Sequence, residues 1–253
     1  MSNVSGVAGS DYYSQIASGT RLQRAADGPA ELGIVQKEKE QINGYNVGER
    51  NAQDGKSVLN VADGAMSGIA DNLQRMRELA VQASNSALMS DSDRNAIQYE
   101  IDQLKKGISD IANNTEFNTK KLLDGSNSDM HIAANPDGSG HTLNTGNATL
   151  KALGIEDFDV TGKFSIKTID DALNKVSSNR SSIGAQSNAL DYTIGYNTQT
   201  AYNLTAATSR MEDTDIAKAA SELDKQNVLR TYRFMMQKKQ EEQERQKLSM
   251  FYM

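Results

Sequence analysis

From residue 56 to residue 88, small and apolar side chains return at steps of three and four: Val58, Ala62, Ala65, Ile69, Leu73, Met76, Ala80 and Ala83. That spacing keeps them on one face of an α-helix. No proline interrupts the run, and at 1.5 Å per residue it predicts a helix of ~50 Å. A stripe of this length is covered by other long helices, in the same molecule or in copies of it. Upstream, Pro29 stands where a first helical turn accepts it, with Asp27 as a candidate cap. Leu32, Val35, Ile42 and Val47 are loosely helical in spacing, and Gly44, Gly48 and Gly55 weaken the pattern. One helix is therefore expected from about Ala30, softened at the glycines, continuing into the long run. Residues 1–15 are small and polar and read either as a disordered tail or as a short helix end.

Downstream the pattern supplies partners. Ser90 and Asp93 resemble a capping box, with Asp in place of Glu. Behind them Ile97, Ile101, Leu104, Ile108 and Ile111 alternate in steps of four and three, a heptad seam. This predicts a helix over about 91–113, folded back antiparallel on the first. From 115 to 162 the chain turns to Gly, Asn, Asp, Ser and Thr. Runs at 130–134 and 141–143 flank Asn135-Pro136-Asp137-Gly138, a turn signal that predicts a β-hairpin. Thr168 then looks like a helix cap, and Ile169, Val176, Ile183, Leu190, Asn197, Leu204 and Met211 lie seven apart. Asn197 on that seam is a polar residue able to fix register. A break is expected at 212–215, after which Ile216, Ala220, Leu223, Val228, Tyr232 and Met235 continue an amphipathic stripe. Residues 237–247 are charged on all sides and read as a solvated helix end or a frayed tail, and the last six residues form an apolar patch. The fold class that results is mainly α: an elongated bundle of long coiled-coil-like helices with a small β-hairpin region.

Composition fits this picture. The chain of 253 residues has two prolines, 6% aromatic residues, no Trp and 37% apolar residues, which suits a thin core between long helices. A net charge of −6 argues against a nucleic-acid partner. The absence of cysteine excludes disulfides and thiolate metal sites. No apolar run approaches the ~18 residues of a membrane span. The first residues lack the basic and apolar regions of a cleaved signal peptide, so export, if it occurs, is expected by a route that reads no such signal.

Catalytic chemistry finds no constellation. His131 and His141 stand ten apart without carboxylates at ligand spacing and read as surface residues. Glu212, Asp213 and Asp215 lack the other ligands and the glycine of a calcium loop, and helix capping is the better reading. No phosphate loop and no nucleophile with a positioned base is present. Catalytic residues, cofactors and metals are all expected to be none, and the protein is not expected to be an enzyme.

Seven phrases, in order, closely resemble bacterial flagellin: SGTRLQRAADGPAELGI, RNAQDGKSVLNVADGAM, LQRMRELAVQASN, NNTEFNTKKLLDG, SSIGAQSNALDYTI, NLTAATSRMEDTDIA and KQNVL. The resemblance implies a structural subunit of the flagellar filament, secreted through flagellar type III export to an extracellular flagellum and serving motility. It implies an inner domain of paired chain ends, 1–28 with 210–253, and a helical rod domain, 29–209, with the β-hairpin region at about 115–162. The outer variable domains look absent. The implied partners are other copies of the chain, a flagellar export chaperone, the cap and junction proteins and, for the phrase LQRMRELAVQ, the host Toll-like receptor 5. On that receptor or subunit interface the resemblance places Leu73, Gln74, Arg75, Leu79, Gln82 and Glu100. Receptor-recognising flagellins have a basic residue one turn after the Glu, where this chain has Leu104 with Lys105 beside it. The two ends depart from the family, which opens two alternatives: a non-polymerising paralogue that binds a chaperone or host receptor, and a hook–filament junction protein.

Overall fold

The computed structural model describes residues 12–85, 89–126 and 129–251. The first eleven residues of the predicted tail, residues 86–88 and the side chains of the final apolar patch lie outside the described residues. Residues 12–18 form α1, followed by α2 (Pro29–Ala83) and α3 (Asp91–Asn114). Strands β1 (Glu116–Phe117), β2 (Lys120–Lys121), β3 (Met130–Ala133) and β4 (Gly140–Leu143) come next. The chain closes with α4 (Leu150–Leu153), α5 (Lys167–Glu212) and α6 (Ile216–Phe251). It divides into two compact units, Gln41–Ala201 and Met1–Glu40 with Tyr202–Met253, and α2 and α5 contribute to both.

In the unit Gln41–Ala201 the predicted stripes form the core. Leu59, Met66, Ile69, Leu73 and Met76 of α2 meet Ile97, Ile101 and Ile108 of α3 and Ile169, Val176, Ile183 and Leu190 of α5. Each such side chain contributes about 1.5–3 kcal/mol by leaving water. Ion pairs bridge α2 and α5 at Lys56–Asp191, Asp63–Arg180 and Arg77–Asp170, so the two helices run antiparallel. The capping box that starts α3 is formed, with Ser90 Oγ accepting from the Asp93 N–H and the Asp93 carboxylate accepting from the Ser90 N–H. The expected hairpin is present as β3–β4, antiparallel with Met130 opposite Leu143 and Ala133 opposite Gly140.

Two expectations are corrected, and one element is additional. The glycines of α2 do not soften it: the helix is continuous for 55 residues. A Cβ on Gly48 would stand 2.1 Å from the Ala134 carbonyl oxygen, and one on Gly44 2.6 Å from Pro136 Cβ. The hairpin turn lies directly on the helix backbone there, and only glycine leaves room for it. Thr168 is inside α5 rather than its cap, because the first turn already begins at Lys167. The pair β1–β2 was not foreseen. Its two-residue turn, Asn118-Thr119, has φ of 47° and 65°, a conformation that Thr rarely adopts.

In the unit Met1–Glu40 with Tyr202–Met253 the core is smaller, built on Leu22, Val35, Ala219 and the buried Thr208 hydroxyl, which donates to Glu38. The expected break between α5 and α6 is present. Thr20 bridges Asp213, the Arg21 N–H donates to Glu212 O at 2.6 Å, and the Thr214 N–H donates to Gly19 O at 2.9 Å. Asp215 Oδ1 then accepts from the Lys218 N–H and caps α6. From residue 227 to residue 247 every side chain of α6 is exposed.

Candidate interaction surface

The residues assigned by resemblance divide into two sets. Leu73 and Leu79 are 0% and 2% exposed. Both point from α2 into the core, so neither offers apolar area to a partner. This follows from the helical period, since both lie on the stripe that packs against α3 and α5. Gln74, Arg75 and Gln82 are exposed on α2, and Glu100 is half-buried on α3.

Arg75 and Glu100 meet across the antiparallel pair α2–α3. Arg75 Nε donates to Glu100 Oε1 at 2.9 Å, and Nη2 lies 2.8 Å from the same oxygen. Nη1 donates to Glu78 Oε2 at 3.1 Å, one helical turn along α2. The sequence reading missed Glu78, although its position three residues on is the ordinary signal for such a pair. The Glu100 carboxylate, and then Glu78, holds the guanidinium above its already high ordinary pKa. The group therefore stays a fixed, oriented cation with a planar set of donors on an open surface. Lys105 does not join it. Its ammonium lies 3.4 Å from Phe158 O, where it secures the loop after α4.

The other candidate groups are used locally. The Glu212 carboxylate pairs with Lys39 at 2.6 Å, and Asp213 accepts from the Ser209 hydroxyl. His131 contacts Gly138 O and His141 contacts Thr193 Oγ1, and the strand register puts the two rings on opposite faces of the hairpin. Among the described residues no group of three or more His, Cys, Asp or Glu is placed to hold a metal. Among the same residues no helix is long and apolar enough to cross a membrane.

A second surface is the open length of α6. Val228, Leu229, Tyr232, Met235 and Met236 are all exposed on it. Val228, Tyr232 and Met235 follow steps of four and three, so they share one face, with Leu229 and Met236 beside it.

Residues 5–128 match the family model of the bacterial flagellin N-terminal helical region, and residues 166–247 match that of the C-terminal helical region. The chain belongs to the bacterial flagellin family. It is 36% identical to a flagellin of Bacillus subtilis over 85% of this chain and 83% of that one. It is 33% identical to the flagellar filament 31.3 kDa core protein of Treponema maltophilum, over 85% and 82%. Among solved structures, Bacillus cereus flagellin aligns with a TM-score of 0.52 at 31% identity, over 63% of this chain and 94% of that one. A Vibrio parahaemolyticus structure described as a hook-associated protein aligns at 16% identity and a TM-score of 0.60, which shows a shared fold alone. This flagellin is a structural subunit of the flagellar filament, exported to the extracellular flagellum, in a family of structural proteins rather than enzymes. The junction-protein and non-polymerising alternatives are not favoured by these relatives.

Proposed function

We propose that the subunit polymerises through two surfaces, the Arg75–Glu100–Glu78 cluster with Gln74 and Gln82, and the open face of α6. The observation that carries the first is an oriented guanidinium bridging two helices with no part in the core. Core packing already holds α2 to α3, so an exposed ion pair adds little there. Its donors, together with two exposed amides, are suited to a polar contact with a neighbouring copy. The second is supported by apolar side chains on α6 that stand exposed among the described residues.

In this reading 29–209 is the rod domain, and 1–28 with 210–253 is the inner domain that contacts other copies along the filament. The chain acts as a building block and carries out no catalysis. It leaves the cell as unfolded chain by flagellar type III export, with the exposed α6 held by an export chaperone, and meets the cap and junction proteins at the filament ends. A second reading of the Arg75 surface is recognition by Toll-like receptor 5. The exposure of Gln74, Arg75 and Gln82 in the phrase LQRMRELAVQ favours it, while the engagement of Lys105 by the loop weakens it.

The test is Arg75→Ala, an exposed substitution expected to change subunit stability by no more than about 0.5 kcal/mol. Its critical concentration for assembly should rise about tenfold, the equivalent of one lost charge-assisted contact of about 1.4 kcal/mol. Assembly at the wild-type concentration, with receptor signalling lost, would give the surface to the receptor. Both activities intact would refute the assignment.

A further inference from the structure

We propose that Met235 and Met236 form an oxidation site on α6, at which an oxygen-donating oxidant such as hydrogen peroxide makes the subunit reversibly unable to assemble. The two thioethers are 62% and 42% exposed. Met66 and Met76 are 0% exposed, and Met89, Met130 and Met211 are partly buried. Met235 and Met236 are thus the exposed methionines among the side chains described. The chain has no cysteine, so no thiol of its own competes for the oxidant. Both residues also sit in a particular place. Met235 continues the face of Val228 and Tyr232, and Met236 lies beside Leu229. This is the apolar face proposed above to dock on other copies, and the inference rests on that reading.

The chemistry is closed. One oxygen of hydrogen peroxide passes to the thioether sulfur, the O–O bond breaks and water leaves. The sulfur loses two electrons and the peroxide gains them. A flexible apolar side chain becomes a polar one with a strong acceptor oxygen. At an exposed position this has little effect on the free subunit. In a face that must be buried against a copy, the sulfoxide needs a donor that an apolar surface does not supply. A methionine sulfoxide reductase and a dithiol reverse the change, removing the oxygen as water while the dithiol becomes a disulfide.

The experiment treats full-length monomer with graded hydrogen peroxide, maps the added oxygen by peptide mass spectrometry and measures the critical concentration for assembly. Met235 and Met236 are expected to oxidise about tenfold faster than Met66 and Met76. The critical concentration should rise about tenfold as they do, and reductase with dithiothreitol should restore it. The double variant Met235→Leu/Met236→Leu keeps an apolar face, so it should assemble normally and ignore peroxide. Equal oxidation of the buried methionines, normal assembly of the double sulfoxide, or peroxide sensitivity of the double variant would each overturn the proposal. Unoxidised Val228→Asp/Tyr232→Asp separates this from the underlying reading. If it assembles normally, the α6 surface itself is wrong; if it fails while the sulfoxide protein assembles, only the oxidation site is wrong.

Discussion

Replacing Gly48 by Ala sets two well-understood effects against each other. In a helix interior the change removes backbone freedom from the unfolded chain and should stabilise by about 1 kcal/mol. Here the new methyl would stand 2.1 Å from the Ala134 oxygen, 2.6 Å from its carbonyl carbon and 3.1 Å from Asn197 Nδ2. The first two are backbone atoms, so the hairpin turn has to lift off α2. Lifting it breaks the hydrogen bond that Asn197 Nδ2 donates to Ala134 O at 2.7 Å and strains the one from Asn51 Nδ2 to Ala133 O at 2.8 Å. Asn197 is buried, and its Oδ1 has no partner to compensate. Overpacking costs about 1–3 kcal/mol and the orphaned amide about 1–3 more, leaving a net loss near 3 kcal/mol. Gly64→Ala is the matched control, since a Cβ there meets nothing within 4 Å, and it should stabilise by about 0.5–1 kcal/mol. Urea unfolding of both monomers, followed by the helical circular dichroism band, reads the two signs side by side. A Gly48→Ala midpoint equal to or above wild type would refute the close seating of the hairpin.

Other perturbations test other parts of the subunit. Ser90→Ala removes the hydroxyl that caps α3 and should cost about 1 kcal/mol, measured by the same unfolding assay. The Ser139 hydroxyl and then its N–H hold the Asp137 carboxyl below its ordinary pKa, as Ser90 does for Asp93. Protons therefore favour the unfolded chain: this stability is present above the unfolded carboxylate value of about 3.9 and is lost as pH falls through the lower native one. Asp137→Asn should accordingly flatten the acid-unfolding curve below about pH 4, and an unchanged curve would contradict the assignment. Ile101→Ala empties a fully buried site between α2 and α3 and should cost about 2–5 kcal/mol, seen as a lower unfolding midpoint and earlier proteolysis of α3.

Most of the helical scaffold was legible because its stripes are long. The seven-residue row from Ile169 to Asn197 is buried throughout, and Asn197, the polar residue on that row, donates to the hairpin at Ala134 O. Local rules succeeded where they are self-contained, as at Ser90 and Asp93. They failed where distant chain decides. Gly44 and Gly48 read as weak points of a helix, yet their function is to admit a hairpin about 90 residues away, which no local propensity contains. The turn Asn118-Thr119 was missed for the opposite reason, since Thr argues locally against its own backbone conformation. At the interaction surface, Arg75 and Glu100 met as the antiparallel packing required. Leu73 already stands on the apolar stripe of the sequence, whereas Leu79, three residues after Met76, joins that face only in the folded core. The open face of α6 was visible as a pattern, but a stripe does not say whether its partner is in the same molecule.

The most direct test is a cryo-electron microscopy reconstruction of filaments grown from the purified chain, at a resolution that shows side chains. The account predicts that Arg75 with Gln74 and Gln82, and Val228, Tyr232, Met235 and Met236 of α6, lie against neighbouring copies. Filaments in which both surfaces face solvent, or a chain that stays monomeric when seeded with filament fragments, would contradict it.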